Sequence, residues 1–384
     1  MPPLQQPRLG RLLRIKDRPL EFSFWPMERT TRRYGLGSRV FATDPWTVIR
    51  RSVKKRCPAA TLTAALALLE QSEDYFRAAE SGVKAAKPLL LYYCYMNLAK
   101  AYVLATRQRN DVNDAMHGLR ERRIALPNGT ELANAYLDAF PTNAPPQPIN
   151  VFDELLRAIS HQGLPPNATR LHLAALMPQI VPGHRLWSAG ATPGTKERFV
   201  SLEKIEFCRG ANSTEIWLRL FLFADDLKRI DLSHQDLLDQ TDLNQVLCEV
   251  ACDEQVNRRR LICLEQIDVV AYEHRPSDSV PRLVETLRHR LWRTVLATPP
   301  YRKYYLYPAP AAERSEVLPQ ILSIYAVTYC LGSITRYRPH HFDAILESSF
   351  GPFIEAFLND QPKQFLYLMA SEFAETEVTK AAIV

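Results

Sequence analysis

Glycine is scarce in this chain, and no apolar run is long. Only 13 of its 384 residues are Gly, against 28 Pro, so rigid turns and short helices are expected in place of flexible linkers. The longest apolar runs, 62–69 and 88–96, fall well short of the roughly 20 residues that a membrane-spanning helix requires. The opening stretch MPPLQQPRLGRLLRIKDR lacks both the apolar core and the cleavage site of a secretory signal. No phosphate loop, catalytic triad, metal cluster or internal repeat stands out, so no cofactor and no metal are expected. A complete disulfide framework is excluded by the odd number of cysteines, seven. They are scattered mostly inside apolar segments and read as reduced, buried thiols of a cytosolic protein. Cys248 and Cys252 lie one helical turn apart with Cys263 after them. Without a His at ligand spacing, core packing is the better reading than a thiolate metal site. The Asn-x-Thr sequons at Asn128, Asn167 and Asn212 carry no meaning in that compartment.

What is present is a soluble, globular composition, 46% hydrophobic and 23% charged, with a lopsided charge. Residues 1–58 hold 14 Lys and Arg against 4 Asp and Glu, while the remainder holds 34 against 38. The basicity is therefore an N-terminal property. It points to phosphates of nucleic acid, to anionic lipid, to an acidic partner, or to an arm folded over the chain's own acidic body.

The pattern of elements predicts an α+β fold, mainly helical, with a small central and mostly antiparallel sheet. Four regions are expected: a basic arm over 1–58, a helical lobe over 59–195, a strand-containing region over 196–310, and C-terminal helices over 311–384 packed back on the helical lobe. The arm should wrap the body through Phe22, Phe24 and Trp25. Apolar residues at Leu62, Leu66, Leu69, Phe76 and Ala79 predict a helix from Thr61. KPLLLYYCYMNLAKAY, from Lys87 to Tyr102, is too apolar for a surface helix. It reads as the buried centre of the fold, opened by Pro88 in the first turn and with Leu90 and Met96 almost fully enclosed. Further helices are expected at 111–122, at 151–162 behind Asn150, at 167–180, 233–252, 279–296, 313–336 and 342–358. The proline-rich 140–148 is a connector. Around 197–207, 214–223, 260–274 and 303–307, β-branched and aromatic alternation predicts strands.

Three blocks, SEDYFRAAESGVKAAKPLLLYYCYMNLAKAYVL (72–104), HGL (117–119) and TRYRP (335–339), resemble the YaaC-like protein family of bacteria over nearly the whole chain. The first block carries most of the specificity. The family has no well-established enzymatic activity to carry over. For some members the resemblance implies a place in anti-phage defence, as the sensor of a jumbo-phage killer system. Such a sensor would recognise an early, lipid-bounded infection structure and act with a second defence protein encoded nearby. A cytoplasmic protein recruited peripherally to membrane fits that expectation.

Three sets of residues are candidates for function. Tyr93, Asn97 and Lys100 lie at i, i+4 and i+7 on one face of the apolar helix. Burying them unpaired would cost about 1–3 kcal/mol per group, so they join a polar network or line a ligand pocket, with His117 a further member. Arg336 and His341 have the R-x4-H spacing of HEPN-type ribonucleases, in which arginine stabilises phosphate charge and histidine moves protons. Pro339 between them should separate the two onto different elements. Last, Arg29, Arg32, Arg33, Arg39, Arg50, Arg51, Lys54, Lys55 and Arg56 interleave with Trp25, Tyr34, Phe41 and Trp46. That pattern suits an anionic lipid surface or, less favoured, nucleic acid.

Overall fold

The structure, a computed structural model, describes residues 4–15, 17–25, 39–82, 84–122, 132–143, 148–181, 198–291, 295–298, 303–309 and 311–380. The fold is α+β and mainly helical, with an antiparallel main sheet. Chain contacts divide it into two compact units. One, the helical unit, is Ala42–Thr195 with Ser315–Ala374; the other, the sheet unit, is Met1–Phe41, Lys196–Arg314 and Glu375–Val384. The basic segment 1–58 is thus divided between them.

In the helical unit, α1 (Pro45–Arg56) starts at Asp44, whose carboxylate accepts the backbone N–H groups of Trp46 and Thr47. This is the N-cap arrangement that satisfies otherwise unpaired donors. α2 (Ala59–Ser81) is followed by α3 (Lys87–Ala105), with Pro88 in its first turn. The two run antiparallel: Tyr75 meets Tyr93, Ser72 meets Cys94 and Gln71 meets Asn97. α3 packs also on α4 (Val151–Ser160), α9 (Gln320–Tyr337) and α11 (Gly351–Ala374). A helix apolar on every side must be enclosed in this way. α9 comes closest at Gly332, where a Cβ would stand 3.1 Å from the Tyr92 Cβ and 3.2 Å from the Pro88 carbonyl oxygen.

Leu91, Cys94, Tyr95, Leu98 and Ala101 are at most 1% exposed. Leu90 and Met96, expected to be as deeply enclosed, are only partly buried. The four packed neighbours leave a seam at each. One expected helix is absent and a second is reduced to about one turn. The segment 111–122 is loop and then β5 (Leu119–Arg122), which pairs with β6 (Tyr136–Ala139), and β6 pairs with β7 (Thr169–His172). The 167–180 stretch therefore opens as strand, and only α5 (Leu173–Leu176) is helical. Alternation along β6, with Leu137 and Ala139 buried and Tyr136 and Asp138 partly exposed, is the period of a strand with one face covered.

The main sheet occupies the other unit, in the order β10-β12-β9-β8-β15-β14. Its long members are β8 (Val200–Gly210), β9 (Glu215–Phe223) and β12 (Arg259–Gln266), extended by β10 (Leu247–Val250), β14 (Val295–Thr298) and β15 (Lys303–Leu306). β1 (Gly10–Leu12) pairs with β8. Ile216, Leu218, Leu220 and Leu222 of β9 face a core shared with Phe22, Phe24 and Trp25, and with Leu283 and Leu287 of α8 (Val280–Leu291). Phe221 and Phe223 face a second, smaller cluster with Val250, Leu261 and Cys263. With both faces covered, β9 reads as a nearly continuous apolar run.

The expected helix over 233–252 is cut short. α7 (His234–Gln240) has a capping box at Ser233, but Asp242 at φ 54° turns the chain out, and 247–250 becomes β10 by pairing with β12. The seven cysteines are free thiols, and Cys248 and Cys252 pack beside Cys263. Among the described residues no helix is long and apolar enough to cross a membrane.

The burial pattern of α3 predicts that Leu98→Ala lowers unfolding free energy by about 2–5 kcal/mol, the range for a core cavity. Met96→Ala should cost less than half of that. Urea titrations followed by circular dichroism measure both, and equal losses would show that the seam at Met96 is closed.

Candidate functional site

The residues singled out on α3 do not form one cluster; they divide among three environments. Asn97, buried, donates its Nδ2 to Gln71 Oε1 at 2.6 Å, which ties α3 to α2. Lys100 is half-buried and makes no hydrogen bond or ion pair with any described residue, and burial lowers its pKa. Tyr93 is the member that reaches a polar surface neighbourhood. Its ring stacks on Tyr75 at 5.5 Å, and its hydroxyl accepts from the Arg336 guanidinium at 2.9 Å.

Arg336 stands in the last turn of α9, where the helix dipole favours a cation. It is exposed and lies over the ring of Tyr337 at 5.1 Å, itself 67% exposed. Behind it, Tyr92 and Tyr329 meet edge-to-face at 5.2 Å. The Tyr329 hydroxyl donates to the Leu119 carbonyl at 2.8 Å, which fastens α9 to β5. His117 lies against Tyr329 with ring centroids 5.2 Å apart. Its Nδ1 accepts the Leu119 N–H at 3.3 Å. The positive φ of Gly118, 79°, makes that turn possible.

Although the His117 residue as a whole is exposed, its ring edge is packed. That burial lowers its pKa, and the Arg120 and Arg336 charges act in the same direction. Burial pushes the Tyr329 phenol up to about 12 and Tyr92 further still. Both stay protonated donors at neutral pH, so neither serves as a base. The surface offers an exposed guanidinium, aromatic faces and a neutral imidazole: a place to hold an anionic or planar group.

Arg336 and His341 do not share an element. The chain leaves the helical region at Arg338 (φ −149°, ψ 62°), and Pro339 starts α10 (Pro339–Glu347), which carries His341. The His341 ring meets His340 edge-on at 4.3 Å, while Arg338 is ion-paired to Glu121. The structure brings Arg336 to Tyr93 and His117 instead. Tyr92, Tyr329 and Tyr337 were not singled out from the sequence. The paired tyrosines of α3 were the available signal for Tyr92, whereas Tyr329 sits unmarked in an apolar run.

The basic cluster is also divided. Arg29, Arg32, Arg33 and Tyr34 lie outside the described residues. Arg39 is no surface cation: it belongs to β4 (Arg39–Phe41), which pairs with β16 (Glu377–Thr379). Its side chain is 10% exposed, holds Glu377 at 2.7 Å and also pairs with Glu21. On α1, Arg50 is paired with Glu73, and Arg56 donates to the Ala374 carbonyl at 3.1 Å. Arg51, Lys54 and Lys55 are exposed. Trp25 and Trp46 are core residues and cannot anchor at an interface, while Phe41 is 54% exposed.

Because burial lowers the His117 pKa, the unfolded chain takes up a proton first as pH falls below the ordinary value of 6.5. Stability linked to His117 is therefore complete above that pH and is lost below it, down to the folded value. Melting temperatures measured from pH 7.5 down to pH 5, in roughly half-unit steps, should fall more for the native chain than for His117→Gln. Parallel curves would mean the ring titrates as if in water.

A family model described as YaaC-like Protein matches residues 24–373, most of the chain. No curated protein and no solved structure matches it.

Proposed function

The chain belongs to the YaaC-like family, and from that premise we propose that it is a non-enzymatic binding protein of bacterial anti-phage defence. In this reading it recognises an early infection structure bounded by anionic lipid and recruits a second protein. The observation that carries the reading is the outer face of α1. Trp46, Ile49 and Val53 turn inward, Arg50 and Arg56 are engaged within the unit, and Arg51, Lys54 and Lys55 face solvent in the last two turns.

An exposed cation near an anionic membrane contributes about 1 kcal/mol, so three supply on the order of 3 kcal/mol. That is weak, reversible attachment, as a sensor that samples surfaces requires. The Tyr93–Arg336 neighbourhood is a second polar surface of the same unit and suits the partner protein. A ribonuclease centred on Arg336 and His341 is the rival reading. It is not favoured, because the break at Arg338 puts the two on separate helices and Arg336 is already bonded to Tyr93.

Replacing Arg51, Lys54 and Lys55 together with Gln should lower capture on phosphatidylglycerol vesicles about tenfold or more. Capture by the native chain should weaken steeply with added salt. Melting temperature should hardly change, since exposed charges contribute little to folding. Co-sedimentation measures the first two, and undiminished capture by the folded triple variant sinks the reading. Metal-independent RNA cleavage that disappears in His341→Ala would favour the rival.

A further inference from the structure

The turn end of the β8–β9 hairpin carries a second set of cations, in the sheet unit, that the reading above does not use. A recess of about 580 Å³ opens there, lined by Arg11, Arg209, Asn212, Ser213, Thr214 and Tyr272 among others. Its volume lies within the roughly 300–1,000 Å³ usual for small-molecule sites.

The register of β1 against β8 sets Arg11 directly opposite Arg209. Residues directly opposite in an antiparallel pair project to the same side, and like charges in that position destabilise the pairing. Other arginines of this unit do have counter-charges: Arg8 and Arg219 hold Glu265, and Arg259 holds Asp226. Arg11 and Arg209 are both exposed, and neither makes a hydrogen bond or ion pair with a described residue. The carboxylate lining the same recess, Glu215, accepts from the Ser213 hydroxyl at 2.9 Å instead.

The walls are held in place. A Cβ on Gly210 would stand 2.1 Å from Ser213 Oγ and 2.8 Å from its carbonyl oxygen, so the turn folds back tightly on the strand only because residue 210 is Gly. The Thr214 carbonyl accepts the Tyr272 N–H at 2.9 Å, which fixes the opposite wall, and the Tyr272 ring is half-buried against the main core.

We propose that this recess binds the phosphoryl groups of a nucleotide-sized ligand. Two adjacent guanidinium forks offer the planar, paired donors that phosphate oxygens accept. An anion between them replaces a repulsion with two attractions, which accounts for keeping two arginines in register without a counter-charge among the described residues. The Thr214 hydroxyl adds a donor at the mouth, and the Tyr272 ring offers a face for a base.

Calorimetry and thermal denaturation of the full chain test this with ADP, inorganic pyrophosphate, adenosine, and vesicles with and without phosphatidic acid. ADP and pyrophosphate should bind saturably and raise the melting temperature, whereas adenosine should not. Arg11→Gln and Arg209→Gln should each weaken ADP binding by about tenfold or more, as expected for a lost charged hydrogen bond. Without ligand, both variants should melt at or above the native temperature because the repulsion is relieved. No saturable binding of ADP or pyrophosphate overturns the proposal, as does undiminished binding in the double variant. A lower melting temperature of the ligand-free variants would assign the pair a structural role instead. Capture on phosphatidic acid vesicles without ADP binding would overturn the nucleotide assignment. Because α1 lies in the other unit, its glutamine variants should leave ADP binding untouched, which keeps this test separate from that of the lipid reading.

Discussion

Enclosing α3 is the constraint on which the helical unit depends. Its neighbours together cover an apolar surface, and α2, α9 and α11 also pair polar groups that would otherwise be stranded. α2 brings Ser72 to the Cys94 carbonyl at 2.7 Å. α11 stacks Phe365 on Tyr95 at 3.8 Å and offers Glu372 to the Tyr102 hydroxyl at 3.2 Å. α9 supplies Tyr325 and Tyr329 against Tyr92 and closes in at Gly332. An unpaired polar group at such depth would cost about 1–3 kcal/mol, so position along α3 sets where Ser72 and Glu372 stand. The Tyr93–Arg336 surface is a consequence. It forms where α3 emerges between α2 and the end of α9, and its Tyr92–Tyr329 backing is part of the enclosure.

Buried carboxylates impose a similar order on the sheet unit. Glu265, 2% exposed, accepts from Arg8, Arg219 and the Trp217 indole. Glu377 is held by Arg39 and accepts from the Tyr304 hydroxyl at 3.2 Å. A desolvated carboxylate costs several kcal/mol unless its oxygens are paired. These arginines are therefore committed to the fold, and they fasten chain segments remote in sequence: Arg8 to β12, and Arg39 to β16.

The chain's basic residues thus fall into distinct physical classes. Some neutralise buried acids, some pair at the surface, and some face solvent with no acidic partner among the described residues. Arg51 and Lys54 of α1 and the opposed pair Arg11 and Arg209 belong to the last class. Net charge alone would have assigned all of them to a partner. Exposed cations, the last class and Lys55 among them, are the ones a lipid, nucleotide or protein can reach, and they are divided between the two units.

By itself the amino-acid sequence determined the elements whose signals are local. α3 and its opening proline, the helix before it, the long strands of the main sheet and the break at Pro339 all follow from periodicity, aromatic content and the fixed φ of proline. Tertiary structure decided what depends on remote partners. The segments 111–122, 167–180 and 247–250 gave helical signals yet became strands wholly or in part, because pairing with β6 and β12 satisfied more backbone than a short helix could. Leu90 and Met96 look as apolar as Leu91 and Leu98, and only the arrangement of four packed helices separates seam from core. Arg39 and Arg51 are alike in sequence and opposite in role, because a carboxylate 338 residues away reaches one of them. The Tyr93–Arg336 contact spans 243 residues. Such pairings leave no trace in local spacing, since they exist only once loop closure has brought the elements together.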